Sequence, residues 1–153
     1  MRDLLITGAR LADGSSGDLG VAAGRFVDAA DLTDPERVDA DGLLALPGLV
    51  DPHTHLREPG REDAETVATG TLAAARGGYT AVHAMANLNP VTDTAEAAEH
   101  LAALAGRTAH TEVVVVGAVT KGLAGEQLSE MGLMHRSAAG VRMFSDDGRC
   151  VMD

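Results

Sequence analysis

Tryptophan is absent from these 153 residues, and the aromatic side chains amount to one Tyr and two Phe. A core must therefore rest on small and β-branched side chains. Those are plentiful: 45% of residues are hydrophobic, and the length suffices for one ordinary domain with a sizeable core. Cysteine is nearly absent too. Cys150 alone cannot form an internal disulfide and fits a reducing compartment; with no histidine close in sequence, it is read as a packing or incidental residue. No apolar run approaches membrane-spanning length, and the N-terminus, Met1-Arg2-Asp3-Leu4-Leu5-Ile6-Thr7-Gly8, has too short an apolar stretch for a signal peptide. A soluble, cytoplasmic protein is expected. Basic residues are scarce, 12 against 23 acidic ones, and the formal charge of -11 argues against nucleic acid or an anionic membrane as partner.

What the chain does have is concentrated in one stretch, Leu46-Pro47-Gly48-Leu49-Val50-Asp51-Pro52-His53-Thr54-His55-Leu56-Arg57-Glu58-Pro59-Gly60. Alternate side chains of a β-strand share a face, so a strand here predicts His53, His55 and Arg57 side by side. Two neighbouring imidazoles can hold a divalent metal, and a guanidinium can hold a carboxylate through two hydrogen bonds. In so acidic a chain, a local cation such as Arg57 is what an acidic small-molecule substrate would need.

Residues 1–45 read as short strands and turns, a small β subdomain without chemistry of its own. Candidate strands are Leu4-Leu5-Ile6, Gly20-Val21-Ala22 and Arg25-Phe26-Val27, with a turn cluster over residues 13–18 and a polar loop over 31–36. From residue 46 the texture changes. Residues 46–55 predict a first buried strand, and 63–76 an alanine-rich helix with acids in its first turn, stopped by Gly77-Gly78. A second strand follows over 80–85. Asp93 and Glu96 suggest a capping box for a helix to about Leu104, with Gly106 as its stop. Residues 112–119, with four consecutive valines, predict a third strand buried on both faces. A weaker helix over 125–139, broken near Gly132, leads to a fourth strand over 141–144. The alternation predicts an α/β fold with a parallel sheet of βαβ units.

The polar clusters fall at strand ends: His53 and His55 near the first, Asn87 after the second, Asp146-Asp147 after the fourth. In a (β/α)₈ barrel those ends form the active-site face. A continued fourth strand would put Asp147 on the face of Met143 and Ser145, so Asp147 is preferred as a metal ligand and Asp146 as a turn or supporting residue. Asp-Asp-Gly is also an ordinary turn sequence. Asn87 is either a turn residue before Leu88-Asn89-Pro90 or a neutral partner for a substrate carboxylate. His83 reads as a satisfied interior histidine, and His100, His110 and His135 as surface residues.

The stretch Asp51-Pro52-His53-Thr54-His55-Leu56-Arg57-Glu58-Pro59-Gly60 resembles the metal-binding signature of dihydroorotases, within the amidohydrolase superfamily. Ala75-Arg76-Gly77-Gly78-Tyr79-Thr80, Met85-Ala86-Asn87, Gly117-Ala118-Val119-Thr120-Lys121-Gly122 and Phe144-Ser145-Asp146-Asp147-Gly148 fit the same family in the same order. The likeness is to type I bacterial members, with Met-Ala-Asn resembling an actinobacterial branch. It implies a partial (β/α)8 TIM barrel of the metal-dependent hydrolase type over 46–153, three to four β/α units of it, preceded over 1–45 by part of a small β-sandwich domain. It implies a zinc enzyme of pyrimidine biosynthesis, with one or two ions, interconverting N-carbamoyl-L-aspartate and L-dihydroorotate. His53 and His55 would bind the first zinc and Asp147 would bridge two. Arg57, Asn87 and His55 would contact the substrate, the first two through its carboxylate. Leu88 departs from the family, which often has Thr there.

The resemblance also implies that the remaining metal histidines and the acid–base aspartate lie beyond residue 153. A complete barrel takes about 250 residues, whereas four strands are read here, with a next helix starting near Asp153. The expectation is the N-terminal part of a dihydroorotase, inactive by itself, needing the remainder of the chain to complete the barrel. Two partners are compatible with the family: further copies of the chain and aspartate transcarbamoylase. Two alternatives stand beside the enzyme reading. One is a non-catalytic dihydroorotase-like scaffold, which usually loses metal ligands that are kept here. The other is a related cyclic amidase such as a hydantoinase or allantoinase; hydantoinases usually bridge their metals with a carboxylated lysine, where this chain offers Asp147.

Overall fold

Short strands alternate with tight turns through the first 47 residues, and the turns show why. The computed structural model describes residues 2–151. In its first unit, Met1–Pro47, β1 (Leu4–Leu11) and β2 (Ser16–Ala22) pair antiparallel, and β3 (Arg25–Val27) folds back on β2. The β2–β3 link is the two-residue turn Ala23-Gly24, both residues at positive φ (49° and 74°), the handedness that matches the twist of paired strands. A 3-10 turn at Ala29–Asp31, started by the Asp28 side chain, leads to β4 (Glu36–Asp39) and β5 (Leu44–Ala45), both parallel to β1. Few side chains of this unit are buried, chiefly Leu5, Ala9 and Ala40, while Phe26 is 78% exposed.

The second unit, Gly48–Asp153, holds a four-stranded parallel sheet in the order β6-β7-β8-β9. The strands are β6 (Leu49–Thr54), β7 (Tyr79–Ala84), β8 (Glu112–Gly117) and β9 (Met143–Phe144). Helices α1 (Val67–Arg76), α2 (Ala95–Thr108) and α3 (Met131–Arg136) provide the connections. This is an α/β half-barrel sheet, as the alternation predicts. Val82, Ala84 and Val115 from the sheet meet Val67, Ala98, Leu101 and Met134 from the helices in one aliphatic core. Close-packed small side chains take the place of aromatic ones.

Several local expectations are corrected. The first strand is not buried: β6 is an edge strand, with Leu49 49% and Val50 55% exposed, because it has a neighbour on one side only. Helix α1 starts at Val67 rather than residue 63, since Thr66 and Thr69 form a reciprocal capping box that leaves Asp63 and Glu65 ahead of the first turn. The cap of α2 is Thr94, not Asp93, and Gly106 lies inside that helix, which runs to Thr108. The third strand is exposed at Glu112 and buried only from Val115 on. In place of a broken helix over 125–139 there is a 3-10 turn at Lys121–Leu123 and a short α3 that contains Gly132. The helix expected near Asp153 lies outside the described residues.

Candidate metal centre

β6 carries His53, and His55 follows just past its end at Thr54. The strand's backbone is pinned at Asp51, whose carboxylate accepts the His53 N–H at 3.0 Å and whose carbonyl lies 3.1 Å from His83 Nδ1. His83 is thus a satisfied interior histidine that braces β6 from β7. His53 and His55 stand edge to face, ring centroids 5.0 Å apart, with their Nε2 atoms 3.2 Å from each other. Asp147 closes the group: its carboxylate lies 2.8 Å from His53 Nε2 and 3.9 Å from His55 Nε2. One donor atom from each of the three residues falls within 4.8 Å of the others.

That donor set fits a divalent metal. Two ligands at the usual zinc–nitrogen distance in a tetrahedral site are about 3.3 Å apart, close to the Nε2 separation here. Two nitrogens and a carboxylate oxygen are the ligand types of catalytic zinc, and His53, half exposed, leaves the group open to solvent.

Neither Asp147 nor Arg57 arrives by strand alternation. β9 ends at Phe144, and Asp147 sits in the left-handed region (φ 58°) with its N–H donated to Ser145 Oγ at 3.0 Å. The neighbouring Asp146 is buried. It accepts from the backbone N–H groups of Val119 and Thr120 at 2.8 and 3.0 Å and from the Thr120 hydroxyl. Thr120 Oγ1 in turn accepts the Gly125 N–H. Asp146 therefore ties the loop after β8 to the turn that presents Asp147.

Arg57, expected beside the histidines on one strand face, follows the end of β6 at Thr54 and has φ 63°. It sits in a loop held from two directions. The Glu58 carboxylate accepts the Val67 N–H at 2.6 Å, at the start of α1. Gly60, at φ 105°, passes so close to Asn89 that a Cβ would fall 2.5 Å from its backbone oxygen. Among the described residues, the Arg57 guanidinium pairs with no carboxylate.

Asn87 comes from the loop after β7, where Leu88 and Thr92 donate to the Ala86 carbonyl. Its side chain reaches 2.9 Å to His55 Nδ1 and 3.4 Å to Asp147 Oδ2. The fold so brings together His53, His55, Asn87 and Asp147 from three strand ends. His100, His110 and His135 are exposed and apart from this group, as is Cys150. Asp146 has the supporting place that was one of its two expected roles, whereas Glu58 and Thr120 are supports that sequence reasoning missed. The available signal for Glu58 was its adjacency to Arg57; Thr120 had no such neighbour.

Residues 42–152 match the model of the dihydro-orotase-like family. A Leifsonia xyli protein named dihydroorotase is 57% identical over 155 residues, covering 97% of this chain and 35% of that protein. A Streptomyces coelicolor dihydroorotase is 53% identical, covering 100% of this chain and 36% of the relative. The chain spans about a third of the length of these relatives. Among solved structures, an L-hydantoinase (dihydropyrimidinase) from Arthrobacter aurescens superposes with a TM-score of 0.77 at 26% identity, over 94% of this chain and 32% of that one. A dihydropyrimidinase from Brevibacillus agri gives 0.63 at 26% identity, over 77% and 27%.

Proposed function

This chain belongs to the dihydro-orotase-like family, and on that premise we propose that it is part of a zinc-dependent dihydroorotase of pyrimidine biosynthesis. The observation that carries this is the convergence of His53, His55 and Asp147 at the carboxyl ends of parallel strands, with Arg57, which pairs with no carboxylate among the described residues, in the adjoining loop. His53, His55 and Asp147 hold the metal. When bound, a divalent ion supplies Lewis acidity toward a water and an amide carbonyl. Arg57 and Asn87 orient the substrate by its carboxylate, and His55 flanks the same space. The reaction opens the cyclic amide of L-dihydroorotate to N-carbamoyl-L-aspartate, or closes it.

Structural likeness to hydantoinases keeps a second cyclic amidase in view. A hydantoin ring carries no carboxylate, and the Arg57 guanidinium, which pairs with no carboxylate among the described residues, favours the acidic substrate. Retained ligands likewise favour an enzyme over an inert scaffold for aspartate transcarbamoylase. The substrate is a small molecule handled in the cytoplasm; no helix of the described residues is long and apolar enough to cross a membrane.

The test is zinc content and turnover of dihydroorotate, with hydantoin as comparison, on the full gene product. Expected are one or two zinc ions per chain and dihydroorotate turnover abolished by a chelator. Zinc with hydantoin turnover alone, or neither ion nor turnover, overturns the proposal. Residues 1–153 by themselves are expected to be inactive, since the parallel sheet of the described residues has four strands where a complete barrel has eight; measurable turnover by this piece would refute that.

A further inference from the structure

We infer that Asn87 is a positioning residue that fixes the tautomer and ring orientation of His55, in addition to any contact it makes with substrate. The inference rests on the metal reading of the site and adds a residue to it. The argument starts from what each atom can do. A carboxylate only accepts hydrogen bonds, so the Asn87 group 3.4 Å from Asp147 Oδ2 has to be its NH₂. That assigns the other end of the amide, 2.9 Å from His55 Nδ1, as the carbonyl oxygen, which also only accepts. His55 Nδ1 must then carry the proton.

A neutral imidazole with its proton on Nδ1 keeps a lone pair on Nε2. That Nε2 is the atom 3.2 Å from His53 Nε2 and 3.9 Å from the Asp147 carboxylate. One amide thus aims the His55 lone pair into the donor group and steadies the carboxylate that completes it. Histidine ligands commonly donate their second N–H to an oxygen in this way, and removing that oxygen weakens the metal. Asn87 can do this because its loop is fixed: Thr92 N–H donates to the Ala86 carbonyl and the Thr92 carbonyl accepts from Ala118, so the loop after β7 is tied to the end of β8.

The test uses the full gene product with Asn87→Ala and Asn87→Asp. Three quantities are read: zinc affinity by competition with a chromophoric chelator, histidine ¹⁵N shifts of the metal-free protein, and KM against kcat. Asn87→Ala is expected to weaken zinc by about 10–100-fold and to move His55 away from a pure Nδ1–H form. Asn87→Asp keeps an acceptor for the same N–H, so it should retain the Nδ1–H tautomer and lose less zinc affinity than Asn87→Ala, while raising KM through repulsion of the substrate carboxylate. Wild-type zinc affinity and unaltered His55 shifts in Asn87→Ala, with only KM raised, would reduce Asn87 to a substrate contact and overturn the inference. So would an Nε2–H form of His55 in the unaltered protein, which needs no variant. If the unaltered protein binds no zinc, the metal reading fails, and the ¹⁵N shifts still decide the tautomer separately.

Discussion

At Arg57, residue identity and residue placement came from different sources. Its proposed role as a cation for an acidic ligand rests on the side chain and on a chain of net charge -11. Strand parity then set it beside His53 and His55, and that failed, because β6 stops at Thr54 and Arg57 turns into the left-handed region. The chain departs there to reach α1, whose first N–H is taken by Glu58. A planar guanidinium can grip a carboxylate with two N–H groups, whereas an ammonium offers a point charge. Arg57→Lys is therefore expected to raise KM for dihydroorotate by about 10–100-fold, the loss of one charged hydrogen bond. kcat should fall less and zinc content should stay unchanged; steady-state kinetics beside a metal determination checks it. His53 and His55 were legible as a pair because a two-residue spacing survives the local geometry of a strand end.

Among the elements, the existence of strands and helices was legible while their ends were not. Asp93 and Thr94 are both good caps, and sequence pattern chose the wrong one. The structure gives Thr94 to the α2 N-terminus and sends the Asp93 carboxylate to the Gly122 N–H at 2.8 Å instead. Long-range demand for an acceptor decided between two locally equivalent residues. Asp146 shows the same effect. Asp-Asp-Gly reads as a turn, yet Asp146 is buried on three donors from the loop after β8. Asp146→Ala would leave the Val119 and Thr120 N–H groups without their acceptor. It is expected to cost about 2–4 kcal/mol, seen as a lower urea midpoint at unchanged slope. Asp146→Asn, which keeps one accepting oxygen, should cost less.

For the molecule as a whole, the informative quantity is apolar surface left outside. In the second unit Leu49, Val50 and Met143 are exposed on strands, and β6 and β9 are the outer strands of their sheet. In the first unit Phe26, Leu44 and Leu46 are exposed, and Phe26 and Leu46 line an apolar hollow with Leu11, Leu19, Ala45 and Pro47. Exposed apolar strands and unpaired edges favour association with other chains. Residues 1–153 expressed alone are expected to bind a hydrophobic dye and to sediment as species that grow with concentration. A strictly monomeric piece that leaves the dye unbound would contradict this.

The sequence by itself determined the class of fold and singled out the candidate residues. Alternating strand and helix patterns are local, and so are the His-x-His spacing and the Asp-Asp-Gly turn; local signals can be read without knowing what lies across the sheet. Tertiary structure alone decided how those residues meet. It exposed the first strand, moved the α2 cap by one residue, and brought Asp147 in through a turn. It also gave Asn87, 32 residues from His55 and 60 from Asp147, a place between them. Spacing along the chain holds no information about such a contact. It exists because parallel pairing of β6, β7, β8 and β9 carries their carboxyl ends to one edge of the sheet. The His-x-His pair, His53 on β6 and His55 just past its end, meets Asp147 and the Asn87 amide only there.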